Sequence, residues 1–185
     1  FGACLIKEPD LVHECLDTMK RNTCLPVTAK TRIGFDDTED FDYLNNFIKK
    51  IKSANVKTII LHARKAILKG LSPKENLKIP KLNYQMVYEI KKSNPELEII
   101  INGGITSIEG IKKQLDYVDG VMIGRAIYQN PYLLADIEKI IFQNQVVLSR
   151  EEVIQNLIDY VKSEVEKGTR VNQIMRHTVG LYHGQ

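Results

Sequence analysis

Short β-branched, apolar runs alternate with stretches of helical period along most of the chain, and no other feature restricts the fold as strongly. The runs fall at Leu25–Thr31, Val56–Leu61, Leu97–Ile101 and Gly120–Ile123. They are nearly continuous in apolar character, the pattern of a parallel sheet covered on both faces. Between them, Leu11, Val12, Cys15, Leu16 and Met19 share one helical stripe, and Phe41, Leu44, Phe47, Ile48 and Ile51 another. Pro9 stands near the start of the first helix, where a missing N–H costs little. Asn94-Pro95 closes a helix running from about Asn83 to Lys92, because the residue before proline avoids helical dihedrals. Thr106 and Glu109 have capping-box spacing at the next helix start. The order is one helix and then four βα units, which implies right-handed parallel crossovers in an α/β protein.

From Ser149 the texture changes. Ser149 and Glu152 again have capping-box spacing, and Val153, Ile154, Leu157, Ile158, Val161 and Val165 mark one helical face. Gly168 breaks that helix, and a second is expected from about Val171 to Leu181. Residues 1–148 therefore read as the βα part and 149–185 as a helical appendage, with the boundary between Phe142 and Ser149.

Four βα units are too few for a complete (β/α)8 barrel, which takes about 250 residues. They make either a small doubly wound sheet or the C-terminal half of a TIM barrel. Composition excludes other classes. Apolar residues make up 43% and charged residues 26% of the 185, values of a folded soluble chain. A net charge of +3 names no partner by itself, and no apolar run is long enough for a bilayer, so no membrane partner is expected. Cys4, Cys15 and Cys24 form neither an even framework nor a CxxC pair, which favours a reducing, cytoplasmic setting and offers no metal site. Cys15 and Cys24 read as structural residues.

The strand ends carry the chemistry. Lys30-Thr31-Arg32-Ile33-Gly34, His62-Ala63-Arg64-Lys65, Asn102-Gly103-Gly104-Ile105 and Gly124-Arg125 each put polar donors or glycine at the carboxyl end of a strand, where α/β proteins hold ligands. Lys30 is either a lysine reaching solvent or a fixed cation for developing negative charge. His62 is either a backbone-satisfied imidazole or, beside Arg64 and Lys65, part of an anion or ring site. Gly103 and Gly104 lead into a helix start, and Gly124-Arg125 adds a guanidinium; two such sites on successive strands resemble the phosphate seat of barrel enzymes. That favours the half-barrel, since no GxGxxG follows the first strand. The long segment after His62 holds Lys65, Lys69, Lys74, Lys78 and Lys81, either a solvated surface or a strip for a phosphate backbone.

These residues together resemble the tRNA-dihydrouridine synthases. The resemblance rests on Pro26-Val27-Thr28-Ala29-Lys30-Thr31-Arg32-Ile33-Gly34, on His62-Ala63-Arg64-Lys65-Ala66 with Gly70-Leu71-Ser72-Pro73-Lys74-Glu75-Asn76, on Asn102-Gly103-Gly104-Ile105, and on Asp119-Gly120-Val121-Met122-Ile123-Gly124-Arg125 with Tyr128-Gln129-Asn130-Pro131. The HARK and GLSPKEN motifs resemble the A-type branch, the tRNA-dihydrouridine(20/20a) synthases. NGGI and GR are shared with other flavin barrels.

The resemblance implies an FMN-dependent barrel with a helical tRNA-binding domain behind it, using NADPH to reduce uridine in the D-loop of tRNA. It implies flavin contacts by Lys30 and His62, a phosphate end held by Asn102, Gly103, Gly104, Gly124 and Arg125, and tRNA contacts by Lys74, Arg64 and Lys65. Leu77 departs from the pattern, where a basic residue is expected. The family's catalytic cysteine lies before the point matching Phe1, so no catalytic residue is expected within the chain. A fragment of a longer enzyme is expected, with strand edges uncovered and no turnover alone. Two other readings stand beside it. One is a flavin barrel of the dihydroorotate dehydrogenase type, which would need no basic strip; the other is a truncated, non-catalytic RNA-binding module.

Overall fold

The computed structural model describes residues 2–182. A 3-10 segment at Gly2–Lys7 leads into helix α1 (Pro9–Asn22), strand β1 (Ala29–Arg32), α2 (Phe41–Ser53) and β2 (Thr58–His62). A 3-10 turn at Glu75–Leu77 interrupts the long loop before α3 (Tyr84–Ser93), β3 (Glu98–Asn102), α4 (Ile108–Leu115) and β4 (Gly120–Met122). Helices α5 (Arg125–Gln129), α6 (Leu133–Ile140), α7 (Arg150–Glu166) and α8 (Val171–Met175) follow, then a 3-10 turn at Val179–Tyr182.

The strands form one parallel sheet in the order β1-β2-β3-β4. Each new strand adds on the same side of its predecessor. A doubly wound sheet reverses direction at its switch point, whereas a barrel does not. Among the described residues the architecture is a partial α/β barrel with additional helices.

Two compact units make up the chain. One contains the residues up to Gly104 together with Lys113–Met122, and the other Ile105–Lys112 together with the chain from Ile123 onward. In the first unit the core follows from strand alternation. Ile59 and Leu61 of β2 and Ile99 and Ile101 of β3 share one face by register, and all four are fully buried. Leu44, Phe47, Ile48 and Ile51 of α2 and Val87 and Ile90 of α3 supply the helical part of that core. Each such side chain contributes roughly 1.5–3 kcal/mol when removed from water.

Local signals set the element ends. Asp40 Oδ1 accepts from the Tyr43 amide at 2.8 Å and starts α2, and Asn83 Oδ1 accepts from the Met86 amide at 3.1 Å and starts α3. In the second unit the expected capping box at Ser149 and Glu152 is present in both directions, and Gly168, at φ +92°, follows the end of α7.

Four expectations shift. The last helix, expected to reach Leu181, ends at Met175, and a 3-10 turn at Val179–Tyr182 follows. β1 begins at Ala29 rather than Leu25: Pro26 has no N–H to give a ladder, and Leu25 is 68% exposed. The cap before α4 comes from Ser107 and not Thr106, since Ser107 Oγ accepts from the Gly110 amide at 3.2 Å. Cys15 and Cys24 are exposed thiols, as is Cys4; within α1 the buried residue is Leu16 and not Cys15.

Candidate functional site

The sheet register aligns the strand ends. Arg32 pairs with His62, His62 with Asn102 and Asn102 with Met122, so one row crosses the carboxyl side of the sheet. Lys30 lies two residues before Arg32, in register with Ile60, and therefore shares the face of Arg32, His62 and Asn102. This face is opposite the one that carries Ile59, Leu61, Ile99 and Ile101. Lys30 is exposed and Arg32 and Asn102 are half-buried, whereas His62 is only 6% exposed. Three predicted residues of the first unit, Lys30, His62 and Asn102, thus sit on one side of the sheet.

Positive charge on this face is uncompensated. Among the described residues, neither Lys30 nor Arg32 nor Arg64 has a carboxylate within ion-pair distance. Although much of Lys30 is open to solvent, the protein around its ammonium, and then the Arg32 charge, push its pKa below the ordinary lysine value. Burial and then Arg64 act on Arg32 in the same direction. Groups held this way favour an anionic or electron-rich ligand.

Behind the row lies the Gly103–Gly104 turn, with φ of +119° and +70°. A Cβ at Gly103 would fall 2.7 Å from Cδ2 of His62, and one at Gly104 2.6 Å from Cδ1 of Leu82. The space saved by these glycines is therefore filled by His62, Leu82 and Tyr84. Tyr84 donates its hydroxyl to the Gly103 carbonyl at 2.7 Å. Burial raises the pKa of that phenol, against a smaller lowering by Arg64, which keeps it a donor. Asn102 Nδ2 donates to the Met122 carbonyl at 2.8 Å, and the Ala63 amide donates to the Asn102 carbonyl at 2.9 Å. The amide of Asn102 thus fastens β3 to β4.

Between Ala63 and Asn83 there are six basic residues and one acidic residue, Glu75. Glu75 is engaged within the loop by the amide and hydroxyl of Ser72, at 2.8 and 2.6 Å. Arg64 donates through Nη1 to the carbonyls of Pro80 and Lys78, and its buried Nε has no partner among the described residues. Lys65 stands 3.9 Å from Glu39, and Lys74 is exposed at the start of the 3-10 turn. Asp36 of the β1 loop accepts from the Leu68 amide at 2.7 Å and faces Lys7 at 3.4 Å. The Leu68 amide first, and then Lys7, hold its carboxyl below the usual aspartate value.

Sequence reasoning missed two parts of this site. Arg32 was legible as a strand-end cation but not as a residue bound to the loop, and Asn76 gave no signal for its burial. In the second unit, Gly124 precedes α5 and Arg125 opens it, both exposed; nothing described lies within 4 Å of a Cβ built at Gly124. The described residues hold no cluster of three His, Cys, Asp or Glu side chains that would bind a metal, and no helix long and apolar enough to cross a membrane.

Sequential parallel βα units whose cations and amide groups share the carboxyl side of one sheet define a barrel-type ligand face. The family model described as "Dihydrouridine synthase (Dus)" matches residues 1–185, and the chain belongs to that family. It is similar to the tRNA-dihydrouridine(20/20a) synthase of Shewanella oneidensis, at 48% identity over 185 residues, which is 100% of this chain and 55% of that protein. The same-named proteins of Synechocystis sp. and Vibrio cholerae are each 46% identical, over 100% and 98% of this chain and 56% of their own length. The chain thus spans a little over half the length of these curated relatives.

Proposed function

We propose that the chain is part of a flavin-dependent oxidoreductase that reduces uridine to 5,6-dihydrouridine in the D-loop of tRNA, with FMN as cofactor and NADPH as reductant. The observation that carries this reading is the placement of Lys30 and His62 on adjacent strands of one sheet face, among cations that lack carboxylate partners. That donor set fits an electron-rich ring. Lys30 and His62 would hold the isoalloxazine, with the Lys30 ammonium opposing negative charge on it. Asn102, Gly103 and Gly104 are assigned to the phosphate end, and the GR segment, Gly124 and Arg125, is assigned there on sequence alone. FMN, when bound, supplies the hydride that reduces uracil at C6.

Lys74, Arg64 and Lys65 are assigned to the tRNA backbone, for which a loop with six cations and an internally satisfied Glu75 is suited. The helical residues from 149 onward are assigned to the start of a tRNA-binding domain, and the protein to the cytoplasm. None of Cys4, Cys15 and Cys24 takes the position of the family's general acid, so residues 1–185 alone are expected to form no dihydrouridine.

The test uses the full-length protein with its natural N-terminus. It is expected to purify with a flavin absorption band and to form dihydrouridine in unmodified tRNA when NADPH is supplied. Lys30→Met is expected to slow turnover by about 10²-fold while leaving the fold intact. A colourless full-length protein, or one that leaves every uridine of tRNA unreduced, overturns the reading.

A further inference from the structure

The basic loop is organised by two side chains that the proposed reaction does not name. Arg32 closes β1, and its Nη1 donates to the backbone carbonyls of Lys65, at 3.3 Å, and Asn76, at 3.1 Å. Asn76 is 9% exposed. Its Oδ1 accepts from the Ile67 amide at 2.7 Å, and its Nδ2 donates to the Ile67 carbonyl at 2.9 Å and, at 3.4 Å each, to those of Leu71 and Ser72. The carbonyls of Lys65 and Asn76, 33 and 44 residues from Arg32 in sequence, are thereby fixed to one strand end.

The partners chosen have an electrostatic consequence. A carboxylate gripping Arg32 would cancel charge where the loop collects it, whereas carbonyls satisfy the guanidinium and leave its charge in place. The loop's one acid, Glu75, is turned onto Ser72. Among the described residues, no lysine side chain of the loop other than Lys65, near Glu39, has a carboxylate partner. A loop of this length, if free, would lose backbone entropy at every residue on being ordered. A preformed loop meets its ligand without that loss.

We propose that Arg32 and Asn76 are positioning residues that preform the Ala63–Asn83 loop as a rigid cationic platform for an RNA phosphate backbone. This rests on the assignment of the loop to tRNA and deepens it. Asn76 acts through Ile67, Leu71 and Ser72 rather than by touching RNA, and Arg32 holds the carbonyls of Lys65 and Asn76.

The experiment uses the full-length protein, an unmodified tRNA transcript, and the variants Asn76→Ala, Arg32→Met and Lys74→Ala. With Asn76→Ala, KM for tRNA should rise on the order of tenfold, with kcat at saturating tRNA within about twofold. Hydrogen exchange at the Ile67 amide should accelerate in the same variant, and Asn76→Asp, which keeps the acceptor, should restore part of that protection. Arg32→Met should reproduce the KM effect. If Lys74→Ala raises KM while Asn76→Ala and Arg32→Met leave it unchanged, positioning is overturned and the tRNA assignment stands. If all three leave KM unchanged, the tRNA assignment of the loop fails and the proposal falls with it. Should Asn76→Ala not fold, Asn76→Gln, which keeps an uncharged amide but displaces it, and Arg32→Lys are read by the same KM and exchange criteria.

Discussion

Gly103→Ala measures how firmly the ring of His62 is held. Gly103 has φ +119°, and an added Cβ would lie 2.7 Å from Cδ2 of His62, 3.0 Å from its Nε2 and 3.0 Å from Cδ2 of Leu82. Holding alanine in that backbone conformation costs about 1–3 kcal/mol. Forcing a methyl group into occupied space costs about 1–3 kcal/mol more. His62 is 6% exposed, so its ring has little room to withdraw. The smaller unfolded-state entropy of alanine offsets about 0.4–1 kcal/mol, leaving a net loss of about 1–5 kcal/mol. Gly70→Ala is the internal control: its φ is +89°, yet nothing lies within 4 Å of the new Cβ. It carries the backbone cost without the collision, so its net loss should stay near about 1 kcal/mol. Chemical denaturation of the full-length protein reads the difference, and flavin absorbance reads whether the displaced His62 ring weakens cofactor retention. Gly103→Ala should lose at least about 1 kcal/mol more than Gly70→Ala. Equal losses in the two variants would refute the packing of His62 and Leu82 over this turn.

Two further outcomes are expected. Asp119 accepts from the Ile99 amide at 2.7 Å and from Lys91 at 2.8 Å; burial works to raise its pKa, but these bonds and the Lys91 charge together hold it below the ordinary 3.8. Its stabilisation is therefore complete above that value and lost as pH falls from it through the lower folded value. Asp119→Asn should flatten this acid-side decline, and a stability difference between the two proteins that stays constant from about pH 6 to about pH 3 would count against it. Ser149→Ala removes the acceptor of the Glu152 amide and half of the capping box. It should cost about 1 kcal/mol and lower helicity in α7, read by circular dichroism on heating.

The βα alternation was legible because the fully buried positions of β2 and β3, Ile59, Leu61, Ile99 and Ile101, are β-branched or leucine and sit in short runs between breakers. Caps carried by a single local bond, such as Ser149 with Glu152, were equally plain. The start of β1 was not. Leu25 and Val27 look like strand residues, but strand pairing is a tertiary event, and the ladder begins only where β2 offers partners to Ala29. The same limit applies to the site. The strand-end residues were visible one by one, while the row from Arg32 through His62 to Asn102 depends on register between segments far apart in sequence. The interior of the loop was also hidden. A buried asparagine among lysines has no periodic signature, and Asn76 is fixed by bonds to Ile67 that only the folded path brings into reach.

The opposition of the two sheet faces has a consequence for how such a chain can change. On β2 and β3, odd-numbered residues of the first strand and of the second serve cohesion, and their even-numbered neighbours point to the side of Lys30 and His62. A slip of one position would drive Thr58, His62, Glu98 and Asn102 to the side of the fully buried isoleucines and expel Ile59, Ile99 and Ile101 to the other. Folding therefore audits the alignment of the chemistry without touching any reactive atom. The strand-end residues of the even side, His62 and Asn102, can then be rewritten, and with them the ligand, while Ile60 and the odd positions keep the scaffold standing.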